Sequence, residues 1–141
     1  MICEDANVGI LPEESKSARR GRILVVDDDR DQANVLSTAL DRLGFDVFTA
    51  HDLQTGSQLI RSSRPQLILL DIRLPDGSGM DFCRELGDDL ATCQIPVILL
   101  SGMEGPTVIR GARAAGCRYF LRKPYDPNAL LLLVEDSLAA R

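Results

Sequence analysis

Leu67–Pro75 reads L-I-L-L-D-I-R-L-P, and its reading decides the fold. Four apolar residues run straight into one carboxylate, Asp71, and Pro75 closes the stretch. A short continuous apolar run bounded by a turn signal suits a strand buried on both faces, as in a parallel sheet. An aspartate at the carboxyl end of such a strand lies on the edge where open α/β sheets place their ligands. The same residue also fits a turn or helix cap following a strand, so the flanking segments have to choose.

Towards the amino terminus, Ile23–Val26 form a β-branched, apolar strand that ends in Asp27, Asp28 and Asp29. Asp29 with Gln32 has the spacing of a capping box, and Leu36, Ala39, Leu40 and Leu43 recur at helical spacing before Gly44 stops the helix. Phe45–Thr49 read as a second strand. Asp52 can cap a helix to about Ser63, which Arg64-Pro65 ends because proline disfavours helical geometry before it.

Towards the carboxyl terminus, Pro75, Asp76, Gly77, Ser78 and Gly79 read as a loop, and Met80, Phe82, Cys83 and Leu86 open a helix. Ile95–Leu100 make a fourth strand ending in Ser101, and a weaker helix occupies about Gly105–Ala115. Tyr119–Leu121 make a fifth strand ending near Lys123-Pro124. Asp126-Pro127 has the form of an N-cap with proline in the first helical position, and Leu130, Leu133, Val134 and Leu138 carry the last helix.

Five strands alternating with five helices predict an α/β domain, a doubly wound parallel sheet with right-handed crossovers and both faces covered. The carboxyl ends of strands one, three, four and five then meet on one edge. Each is polar there: Asp27 and Asp28, Asp71, Ser101, Lys123. A core does not require that. Clustered carboxylates at roughly 4 Å repel by about 4 kcal/mol per pair in a surface-like dielectric, so a hard divalent cation such as Mg²⁺ is the expected compensation. A nucleophilic carboxylate, a metal, an ammonium and a hydroxyl are the parts that phosphoryl transfer needs, with an aspartyl phosphate as product.

The composition sets the bounds. The 141 residues fit one domain, and 45% hydrophobic with 26% charged residues is ordinary for a globular chain. A net charge of −5 offers no electrostatic footprint for nucleic acid or an anionic membrane. The apolar run Leu130–Val134 is far too short to span a bilayer, and the amino terminus lacks the pattern of a secretory signal. Cys3, Cys83, Cys93 and Cys117 have no metal-ligand spacing and are expected as free thiols. A cytoplasmic location is therefore expected. Residues 1–20 read as a flexible tail before a domain over 21–141, the basic Lys16–Arg22 cluster being solvated. His51, the only histidine, reads as a loop residue away from the strand-end cluster.

V-V-D-D-D (25–29), L-L-D-I-R-L-P-D-G-S-G-M-D (69–81), P-V-I-L-L-S-G (96–102) and A-G-C-R-Y-F-L-R-K-P (115–124) resemble, in order, the receiver domains of bacterial two-component response regulators. The resemblance covers about 22–141. It implies the flavodoxin-like receiver fold with strand order 2-1-3-4-5. It also implies that Asp71 accepts a phosphoryl group from a histidine kinase or a histidine phosphotransfer protein. Asp28 and Asp71 would bind Mg²⁺, Asp27 would do so through water, and the backbone carbonyl of Arg73 would be a further ligand. Lys123 would contact the phosphoryl group, and Ser101 would move to bond it. Such a domain assists its own phosphorylation and dephosphorylation without being an enzyme. Its output would pass through the fourth helix, fifth strand and fifth helix to a protein partner or a second copy.

Two features depart from the family pattern. The switch aromatic, three residues before the lysine, is Phe120, which lacks the hydroxyl some members use. No output domain follows Arg141, so the expected forms are a single-domain regulator or a receiver segment of a hybrid kinase or multidomain regulator. A haloacid-dehalogenase-type phosphatase is the rival within the enzymes. It wants an aspartate two positions after the nucleophile, where this chain has Arg73, and a cap domain. A degenerate receiver acting only as a binding module would have lost an acidic residue or the lysine, and none is lost.

Overall fold

The structure, a computed structural model, describes residues 19–103 and 105–139. Its main sheet has five parallel strands: β1 (Arg22–Val26), β2 (Asp46–Ala50), β3 (Leu67–Asp71), β4 (Val97–Ser101) and β5 (Tyr119–Arg122). They lie in the order β2-β1-β3-β4-β5, as expected. Between and after them run α1 (Arg30–Arg42), α2 (Leu53–Ser63), α3 (Gly79–Asp88), α4 (Pro106–Ala114) and α5 (Pro127–Ala139).

Period-two alternation sorts the strand side chains between two cores. Leu24, Val26, Ile68, Leu70, Val97 and Leu99 join Ile60, Cys83, Leu86 and Ala112 on the side covered by α2, α3 and α4. Ile23, Val25, Leu67, Leu69, Ile98 and Leu100 join Ala33, Leu40, Leu130 and Val134 on the side covered by α1 and α5. All five residues of β3 are buried, which is what the central strand of a sheet covered on both faces demands.

The helix ends follow their local chemistry. The Asp52 carboxylate accepts the Thr55 N–H at 2.7 Å, and Gly44 takes φ +100° just after α1. Pro75–Gly79 is more ordered than a loop. Arg73–Leu74 pairs antiparallel with Gly77–Ser78, and the Asp76 carboxylate at its turn accepts the Leu53 and Gln54 N–H groups at 2.8 and 3.1 Å. Two aspartates from separate segments thus satisfy the open amides of α2 and suit its positive end.

Of the expected tail, residues 1–18 lie outside the described residues. Its last two residues are tied to the domain: Arg19 pairs with Asp41 at 2.8 Å and Asp46 at 3.2 Å, and Arg20 stacks on Phe45. Cys3 also lies outside the described residues, and the other three cysteines are free thiols. Cys83 is 2% exposed, and its thiol is pushed up to about 11 by burial, with Cys117 adding and Arg84 opposing. Cys93 is exposed. Because the thiolate is the reactive form, iodoacetamide near neutral pH is expected to label Cys93 readily and Cys83 only on unfolding. Peptide mapping by mass spectrometry reads this directly, and labelling of folded Cys83 at the Cys93 rate would contradict the packing.

Candidate functional site

Strand register builds the site. β1 and β3 pair up to Val26 opposite Leu70, so the next residues, Asp27 and Asp71, emerge side by side. Both have the parity of the α1–α5 side, and so does Lys123, two residues beyond Leu121. Asp27 is 3% exposed and Asp71 7% exposed, a burial that carboxylates accept only with partners. The Lys123 ammonium supplies them, donating to Asp27 Oδ2 at 3.0 Å and to Asp71 Oδ2 at 3.1 Å. The Lys123–Pro124 peptide that follows is cis.

Burial raises the Asp71 carboxyl above its ordinary value, with Lys123 opposing and Asp27 adding to the rise. Burial alone would lower the Lys123 ammonium, but its bonds and attraction to Asp27 and Asp71 outweigh that and hold it raised. The lysine therefore stays charged while the acidic pair remains undercompensated. One ammonium faces two buried carboxylates, with Asp28 exposed beside them.

Among the described residues, Asp27, Asp28 and Asp71 form the group of three whose ligand atoms all lie within 4.8 Å of one another. An all-oxygen donor set of that span, with one lysine to offset it, fits a hard divalent cation. Ser101 stands apart from the hydrogen-bonded set. It has the opposite strand parity, is 1% exposed, and its Oγ accepts the Met103 N–H at 2.9 Å. Arg73 has its main chain in the ladder opposite Ser78. Phe120 is half-buried against the α2–α4 side core.

Two residues belong to this site against expectation. The capping box forms only in part. Asp29 accepts the Asp31 and Gln32 N–H groups, but its own N–H donates to Asp27 Oδ1 at 3.0 Å. Gln32 therefore has no amide to reach back to, and its Oε1 accepts from Lys123 Nζ at 3.0 Å. His51, expected away from the cluster, lies 2.9 Å through Nδ1 from the Asp27 carbonyl oxygen. A carbonyl only accepts, so that nitrogen carries the proton. With the Asp27 N–H donating to Ala50 O at 3.0 Å, the Asp27 main chain is clamped to the end of β2. Neither contact has a signal in sequence spacing, because both cross between elements.

The response regulator receiver domain model matches residues 23–135, most of the chain and a span that includes Asp27, Asp28, Asp71, Ser101 and Lys123. The chain belongs to the response regulator receiver domain family. Receivers are similar to it at the level of sequence and of fold. It is 34% identical over 119 residues to the DNA-binding response regulator MtrA of Mycobacterium tuberculosis, covering 84% of this chain and 51% of that protein. It is 33% identical over 118 residues to Protein PilH of Pseudomonas aeruginosa, covering 84% of this chain and 98% of that one. The BeF3-activated N-terminal receiver domain of RstA from Klebsiella pneumoniae superposes with a TM-score of 0.77 at 26% identity, covering 83% of this chain and 97% of that one. The chain spans about half the length of MtrA, 51%, but nearly all of PilH, 98%. As a receiver it carries an acidic cluster of the kind a phosphoacceptor domain uses. No described helix is long and apolar enough to cross a membrane.

Proposed function

We propose that Asp71 accepts a phosphoryl group from a histidine kinase or a histidine phosphotransfer protein, and that the resulting change is signalled through α4, β5 and α5. The observation that carries this reading is the Lys123 ammonium held between Asp27 and Asp71 at the strand edge. An Asp71 carboxylate oxygen attacks phosphorus, and the phosphorus–nitrogen bond of the donor's phosphohistidine breaks. The imidazole leaves with that electron pair and takes up a proton. Lys123, already placed against Asp71, stabilises the charge on the transferring oxygens. Asp28 and Asp71 would hold Mg²⁺ directly, Asp27 through water, and the Arg73 carbonyl would complete the protein's share. Bound there, the ion supplies charge neutralisation that one lysine cannot. An apolar groove of about 810 Å³ between α1 and α5 opens onto Gln32 and Lys123 and offers a seat for the donor protein beside the acceptor.

Readout then uses the residue left outside the cluster. The Ser101 hydroxyl would exchange the Met103 N–H for the phosphoryl oxygens, and Phe120 would rotate into the space released. Among the described residues the changing surface is 105–139, engaging a downstream protein or a second copy. Incubation with acetyl phosphate is expected to raise the intact mass by one phosphoryl group with Mg²⁺ present and not in chelator. Beryllofluoride, the activator named for the RstA receiver, is expected to change hydrogen exchange across 105–139 as well as in the pocket loops. Changes confined to the pocket loops would refute the readout surface while leaving the acceptor intact.

A further inference from the structure

We infer that Gln32 is a positioning residue for Lys123, a neutral acceptor that keeps the ammonium aimed at Asp71 as phosphoryl transfer proceeds; this rests on the phosphoacceptor reading above. A lysine ammonium has three donors and no acceptor. Here all three are committed, to Asp27 Oδ2 at 3.0 Å, Gln32 Oε1 at 3.0 Å and Asp71 Oδ2 at 3.1 Å. Two of those partners are claimed by the reaction. The Asp71 carboxylate becomes an acyl phosphate whose charge moves out onto the phosphoryl oxygens, and Asp27 belongs to the acidic group suited to a cation. Gln32 is neutral, lies outside that group, and is carried on the first turn of α1. That turn is capped by Asp29, whose amide is held by Asp27, so the side chain projects from a framework already tied to the site.

A second consequence separates Gln32 from a merely structural contact. Its side chain hydrogen-bonds the lysine and none of the three carboxylates, so its loss is expected to slow transfer without weakening cation binding. Gln32 is exposed, and methionine keeps its length while replacing the amide oxygen with a weakly accepting thioether, so Gln32→Met is expected to fold normally. A hydrogen bond to a charged group, discounted for exposure, corresponds to about a tenfold change in rate. The test is a double-mutant cycle over wild type, Gln32→Met, Lys123→Met and the double variant. Phosphorylation by phosphoramidate is followed by intact mass across a Mg²⁺ titration. The expected result is a maximal rate about tenfold lower for Gln32→Met at an unchanged Mg²⁺ midpoint, with no further loss when Gln32→Met is added to Lys123→Met. Gln32→Glu, which retains an acceptor, should recover most of the rate. A wild-type rate for Gln32→Met, additive losses in the cycle, or a shifted Mg²⁺ midpoint each overturns the inference. Absence of any reaction in the wild type would instead overturn the phosphoacceptor reading itself.

Discussion

Asp71→Asn is expected to leave the protein inert to acetyl phosphate and phosphoramidate, with no mass gain at any Mg²⁺ concentration. Asparagine keeps the shape of the side chain but removes the nucleophilic oxygen, and no other carboxylate ends β3. The variant also tests the electrostatics. The Asp71 carboxyl is held above its ordinary value of 3.8, chiefly by burial and against the pull of Lys123. A carboxyl raised in the folded state binds its proton more tightly there than in the unfolded chain. The native state therefore loses stability as pH rises from the unfolded value through the raised one. Metal-free wild type at neutral pH carries that penalty, and metal-free Asp71→Asn does not. In chelator the variant is expected to melt at or above wild type at neutral pH, the advantage vanishing below the unfolded value. Added Mg²⁺ should stabilise the wild type more, because a ligand that binds only the native state stabilises it by mass action. Continued phosphorylation of the variant would displace Asp71 as acceptor, and a large drop in its metal-free melting temperature would contradict the burial argument.

Gly79→Ala is expected to destabilise the domain by about 3 kcal/mol, the upper end of ordinary overpacking. A Cβ at Gly79 would lie 2.1 Å from the Asp71 carbonyl oxygen and 3.0 Å from both the Asp71 carbonyl carbon and Ile72 Cα. All three are backbone atoms, so no flexible side chain can give way. The Gly79 N–H also donates to Ile72 O at 2.7 Å, which locks the start of α3 onto the end of β3. Relief therefore has to come from moving the acceptor's own peptide, and phosphorylation should slow along with the loss of stability. For a domain of this size the melting temperature should fall by roughly 10 °C. Gly87→Ala, in the same helix with nothing within 4 Å, is the control. It should gain about 0.5–1 kcal/mol from reduced backbone freedom. Equal melting temperatures for the two variants would remove the close approach from the account.

The fold was legible in the sequence because each element carried its own punctuation. Asp52 and Asp126 mark helix starts, Gly44 a helix stop, and β3 is an apolar run too short for a helix. Asp27, Asp71 and Lys123 were legible for a related reason. Parallel strands bring their carboxyl ends to one edge, and the period of two puts these three on one side of it. The same parity sets Ser101 on the other side, where its hydroxyl takes the Met103 N–H. Competition between acceptors and donors was not legible. The spacing of Asp29 and Gln32 specifies a capping box, but only the folded chain brings Asp27 Oδ1 to the Asp29 N–H and Lys123 to Gln32. The same holds for His51 on the Asp27 carbonyl and Asp76 on the first turn of α2. Local pattern determines which groups need partners. Which partner wins depends on distances set by sheet register and helix packing, and those distances exist only in the tertiary structure.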